Sequence, residues 1–268
     1  HPPMQAVYQL TLQAIQKAVA RPVGDMSEDD VGQQAVEFWS TVSDEELELI
    51  EEAEETGAQP STPCQNFVRG ALPHLVPLLL EAMCKQEEDD DDDSWNMAMA
   101  AATCLARVAQ TVENPIVEHV MPFIQEHITS ADWRRREAAT LAFGSILEGP
   151  SQSVLAQFME QALDVMMKLM KDPSIQVKDT AAWTIGRICE HHIQCITAGQ
   201  WQAQRTPFLP RVAPHSSPCP TNLIRFRPFS LTHPFLPYVA PHSSHIPPIE
   251  LSLSLCLSLS LSLSLSLS

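Results

Sequence analysis

Between Lys85 and Asn96 the chain reads KQEEDDDDDSWN, two Glu and five Asp running into a tryptophan. Residues of these types recognise cations. Carboxylates act on Arg and Lys across about one Debye length, roughly 8 Å at cellular salt. An indole face then stacks on a guanidinium or an alkyl-ammonium stem for about 0.5–2 kcal/mol. The run is not a calcium loop: it has no Gly at its sixth position, and the twelfth residue from Asp89 is Ala100 instead of Glu. A helix starting just beyond it would favour one or two of these acids through its dipole, which leaves the remainder unexplained.

Catalytic chemistry finds no comparable footing. Six of the ten His lie beyond Glu190, and His74, His119 and His127 sit in apolar helical patterns without a placed nucleophile or a paired carboxylate. No Gly-rich phosphate loop is present. The seven Cys make no C-x-x-C pair and no zinc-like spacing with His, so neither a metal nor a cofactor is expected. With no signal-peptide pattern at the start, the thiols read as those of an intracellular protein. The chain opens at His1 instead of Met, which suggests an N-terminus cut from something longer.

The formal charge is −17, and all but one of the 33 acids precede His191. So negative a surface repels phosphate backbones and anionic lipid and attracts basic protein segments. Nucleic acid and membrane insertion are therefore not expected.

These residues must be positioned by helices. Apolar side chains recur at three- and four-residue spacing over 4–20, 28–40, 44–55, 65–86, 95–112, 115–129, 132–148, 151–171 and 174–190, with Pro or acidic clusters between, and no segment there alternates as a strand. Asp132 and Ser174 stand where N-caps belong. Laying Asp132–Leu147 over Ser174–Cys189 pairs Glu137 with Asp179, Ala139 with Ala181, Phe143 with Ile185, Gly144 with Gly186 and Ile146 with Ile188. A second overlay, of SWNMAMAAATCLARVA on the first of these segments, pairs Trp95 with Trp133 and Ala101 with Ala139. Two helices per roughly 40 residues, with Ala where helices approach, is the HEAT/armadillo pattern. The expected fold is all-α, a HEAT-repeat α-solenoid over 1–190 with an acidic loop at 87–94. Trp39 and Trp133 read as packing residues.

Four stretches in order, EFWSTVSDEE, DDDDDSWN, HVMPFIQEHITSADWRRREAATLAFGSILEGP and LMKDPSIQVKDTAAWTIGRICE, closely resemble the middle of the importin-β (karyopherin-β) family of HEAT-repeat nuclear import receptors. One departure is Ser94, inserted before the tryptophan. The resemblance implies a binding scaffold, not an enzyme, that shuttles between cytoplasm and nucleus. It implies that Asp89, Asp90, Asp91, Asp92, Asp93, Trp95, Asp179, Trp183 and Glu190 bind the basic helix of importin-α or basic cargo signals. It implies Ran-GTP contacts at Glu37, Asp44, Asp91 and Asp92. MQAVYQLTLQAI, Met4–Ile15, resembles an outer helix that helps to form a shallow pocket for Phe-Gly nucleoporins. The alternative from another class is a HEAT scaffold such as a phosphatase regulatory subunit.

The resemblance stops at Glu190. Residues 191–268 are rich in Pro and Ser and end in LSLSLCLSLSLSLSLSLS, the alternation that a CT dinucleotide repeat encodes. This tail is expected to be disordered or a gene-model artefact, and to carry no function.

Overall fold

The computed structural model describes residues 2–22, 29–57, 64–86 and 96–192. Among the described residues are eight helices and no strand: α1 Pro2–Val19, α2 Asp29–Thr56, α3 Phe67–Ala82, α4 Met97–Val112, α5 Ile116–His127, α6 Trp133–Ser145, α7 Gln152–Leu169 and α8 Ile175–His192. The run Asp89–Asp93, Trp95 and the tail beyond His192 lie outside the described residues.

Consecutive helices pair, α1 with α2, α3 with α4, α5 with α6 and α7 with α8. The pairs then stack in two layers. The second helices follow one another, α2 on α4, α4 on α6 and α6 on α8, while α1 packs on α3 and α3 on α5. This is the expected all-α solenoid. Its core runs between the layers through Ile15, Val36, Trp39, Leu72, Leu75, Leu79, Leu105, Ile116, Phe143, Ile146, Leu155 and Met159. Each such aliphatic side chain gains about 1.5–3 kcal/mol by leaving water. In α4 half of the buried residues are alanine, Ala98, Ala100, Ala101, Ala102 and Ala109, which lets α2 and α6 approach closely.

Where the periodicity gives two helices, 28–40 and 44–55, the structure has the single helix α2. Thr41, Val42 and Ser43 are weak helix formers, and a Ser before Asp-Glu-Glu has the look of a cap. In the folded chain the Ser43 hydroxyl donates to the Trp39 carbonyl at 2.8 Å and the Thr41 hydroxyl to the Glu37 carbonyl at 3.1 Å. From α4, the Thr111 hydroxyl donates to the Ser43 carbonyl at 3.0 Å. Tertiary contact outweighs the local stop signal.

Asp132 and Ser174 cap their helices as expected, accepting from the Arg134 amide at 3.0 Å and the Val177 amide at 3.4 Å. Asn96 does the same for α4 through the Met99 amide at 2.9 Å. The start of α3 differs. Asn66 has φ 54° and makes no side-chain cap, and the buried Glu46 carboxylate of α2 accepts the Phe67 and Val68 amides instead.

Three consecutive arginines in the first turn of α6 reach three places. Arg134 donates to the Gln86 carbonyl beyond α3 at 2.8 Å, and Arg135 makes a two-pronged pair with Glu81 of α3 at 3.1 and 3.2 Å. Arg136 grips Asp172, in the turn before α8, at 2.8 and 2.7 Å, and also donates to the Ser130 and Ala131 carbonyls.

Candidate functional site

The described candidate residues all lie on second helices. On α8, Asp179, Trp183 and Glu190 are spaced four and seven apart, which aligns them along one side of the helix. Asp179 and Glu190 are exposed and Trp183 is half-buried. The indole is held on one side because Gly144 of α6 has no side chain. A Cβ built at Gly144 would lie 2.3 Å from Cζ3 of Trp183. The Arg187 guanidinium stands 6.0 Å from the ring centroid. Arg187 also pairs with Glu148 at 3.0 Å and with Glu190 at 3.5 Å. The His191 ring, its Nε2 3.5 Å away, and then the Arg187 guanidinium hold the Glu190 carboxyl below its ordinary range against the effect of burial.

Glu37 and Asp44 sit two turns apart on α2, separated from the α8 group by α4 and α6. Asp44 is half exposed and paired with Arg107 of α4 at 3.3 Å. Glu37 accepts from the Gln34 amide at 3.2 Å. The α8 acids and the α2 acids therefore form two separate groups on one layer. Asp89–Asp93 and Trp95 fall outside the described residues. Trp39 and Trp133 take the packing roles expected: Trp39 is wholly buried, and Trp133 packs partly buried against the core beside the Arg134 guanidinium, 4.6 Å from its centroid.

Sequence reasoning missed the partners that shape these groups, Arg107, Gly144 and Arg187. It also left unused the acid at Glu137, whose register matches Asp179 one repeat later. Gly144 and Gly186 occupy that same repeat register with opposite surroundings, since a Cβ at Gly186 meets nothing within 4 Å. Gly144→Ala is expected to cost about 1–3 kcal/mol and to shift the tryptophan fluorescence as the indole is displaced. Gly186→Ala should be neutral or stabilising by up to about 1 kcal/mol, because alanine is the better helix former. Equal effects in chemical denaturation would show that Trp183 does not rest on Gly144.

In the first-helix layer, an apolar groove of about 550 Å³ lies between α5 and α7, lined by Val117, Met121, Pro122 and Phe158 with Glu118 and Gln125 at its polar edge. Among the described residues no group of His, Cys, Asp and Glu could hold a metal ion, and no helix is long and apolar enough to cross a membrane.

The HEAT-like repeat family matches residues 133–188. The chain is 50% identical over 191 residues to importin subunit beta-1 of Arabidopsis thaliana, covering 70% of this chain and 21% of that protein. Among solved structures it resembles Kap95p, a yeast importin-beta. One such structure describes Kap95p binding to RanGDP and another is a Kap95:Nup1 complex. Each has a TM-score of 0.66 at 38% identity, over 73% of this chain and 22% of the other. The chain thus spans about a fifth of the length of the relatives it matches.

Proposed function

Since the chain belongs to the karyopherin-β family of HEAT-repeat proteins, we propose that it is the part of a nuclear import receptor that receives a basic helix of importin-α or of cargo. The observation that carries this reading is Trp183: a half-buried indole on α8, backed by Gly144, with Asp179 one turn before it and Glu190 beyond. An aromatic face flanked by carboxylates suits an Arg or Lys side chain and no anionic ligand. Asp89–Asp93 and Trp95 extend the same chemistry. Glu37 and Asp44, with Asp91 and Asp92, are the proposed contacts for Ran-GTP, whose binding would release the basic helix. The groove between α5 and α7 offers an apolar seat for short Phe-Gly segments of nucleoporins. On this reading the protein shuttles between cytoplasm and nucleus.

Acids and tryptophan divide the work. Long-range attraction raises the rate of encounter, whereas stacking exists only in the docked complex and so slows escape. In stopped-flow measurements with a synthetic basic helix, Trp183→Ala is expected to raise the dissociation rate about 5- to 30-fold, the equivalent of about 1–2 kcal/mol. Neutralising Asp89–Asp93 to Asn is expected to slow association about tenfold at low salt and to flatten the salt dependence. Equal effects of both variants on both rates, or binding that ignores salt, would refute the division.

A further inference from the structure

Glu137 lies where α6 meets α8, one residue beyond the three arginines, and none of them serves it: Arg134, Arg135 and Arg136 are committed to Gln86, Glu81 and Asp172. Its Oε1 accepts from the Thr180 hydroxyl of α8 at 3.0 Å, while its Oε2 is buried and has no hydrogen-bond partner. The ionisable group facing it from α8 is Asp179, an acid, and beyond the end of α3 the Cys84 thiol, which burial pushes up to about 12 and keeps neutral. On α4 the one cation, Arg107, is paired with Asp44, and on α5 His127 contacts Arg135. No cation among the described residues neutralises Glu137. A carboxylate so placed is costly to keep charged.

We infer that Glu137 is a proton-linked element of the binding surface: it holds a proton in the free protein and gives it up when a cationic side chain docks beside Asp179 and Trp183. The inference rests on the proposed reading of that surface. Burial first, then the charge of Asp179, raise the Glu137 pKa to about 7, against the weaker lowering effect of the Thr180 hydroxyl. A docked guanidinium cancels the repulsion from Asp179 and adds attraction, so the bound state favours the carboxylate. The proton leaves Oε2 or Oε1 for solvent, and no bond other than O–H is broken. Because the bound pKa is the lower one, affinity rises with pH through the free-state value and levels off above it.

The test is calorimetry on the full chain with a His-free, Arg- and Lys-rich synthetic helix, at pH 7 in phosphate and in Tris, whose ionisation enthalpies differ. About half a proton should be released per peptide bound at pH 7, and binding should tighten about tenfold between pH 6 and pH 8. Glu137→Gln should still bind the peptide, with both the buffer dependence and this tightening lost. Wild-type heats that agree between the buffers, or a Gln variant that keeps the difference, would overturn the proposal. Carbon NMR of the free protein provides a readout independent of the peptide. A Glu137 carboxyl titrating at the ordinary value of about 4.3 would sink the linkage while leaving peptide binding intact. A peptide that fails to bind in any buffer would instead remove the reading of the surface itself, and the linkage with it.

Discussion

Asp172→Ala lowers the stability of the chain by about 3 kcal/mol, with little direct effect on any ligand. The expectation follows from what the change leaves behind. The side chains of Arg136 and Asp172 are 12% and 8% exposed, and the guanidinium makes two of its hydrogen bonds to that carboxylate. Removing one partner of a buried pair strands the other charge, which costs more than the pair itself contributes. Asp172 also accepts the Ser174 amide at 2.9 Å, so the turn that launches α8 loosens too. A pH profile separates charge from shape. Burial works to raise the Asp172 pKa, but the Arg136 hydrogen bonds, the Ser174 amide and the charges of Arg136 and Lys178 together hold it below the usual carboxylate value. A depressed carboxylate contributes stability that is present above its unfolded-state pKa and is lost as pH falls through its folded-state one. The wild type should therefore lose this increment in acid, below about pH 4, whereas Asp172→Asn should show no such loss because it has none left to lose. Parallel acid-unfolding curves for the two proteins would refute the assignment.

Trp39→Ala should lower the stability by about 3–5 kcal/mol, the range for deleting a fully buried large aromatic. Its exposure is 0%, and it joins three helices: Tyr8 of α1 lies 4.9 Å from its centroid, Phe38 of α2 lies at 5.6 Å, and Tyr8 in turn meets Phe67 of α3 edge-on at 5.6 Å. For a folded part of this size such a loss corresponds to roughly 6–20 °C in melting temperature. Trp183→Ala is the internal comparison, because that ring is only half-buried and rests on one helix. It should cost much less stability and far more peptide binding. Two tryptophans with the opposite ranking would mean that the packing and binding roles have been exchanged.

The two tryptophans show what can be read from a single chain. A helical period, Ala at the close approaches and a recurring forty-residue register are local or near-local signals, and they were enough for the helix order and the solenoid. The break expected between 28–40 and 44–55 failed because Ser43 and Thr41 satisfy their hydroxyls on carbonyls one turn back, and because Thr111 of α4 fastens the same turn. No sequence window contains that last contact. The acids of α8 were named as site residues only through the family resemblance, and their states were not legible at all. Glu190 is already engaged by Arg187 and His191, and Glu137 is stranded because three adjacent arginines point elsewhere. Those outcomes depend on side-chain directions across repeats, which spacing along one helix does not encode.

The start of α3 carries a consequence for the order in which the chain acquires its structure. Three of the second helices, α4, α6 and α8, carry a capping side chain immediately before their first turn. The amides of Phe67 and Val68 rely on Glu46, more than twenty residues earlier and in the middle of the preceding helix. A helix of sixteen residues is only just longer than those that are marginal in water even when Ala-rich, and α3 carries Pro73 and Pro77 inside it. α3 therefore nucleates late on its own and readily once α2 is in place, which gives this junction a direction: growth passes from the N-terminal side toward α3 more easily than the reverse. That is also the order in which a ribosome delivers the two helices, so the first pair emerges as a template for the second.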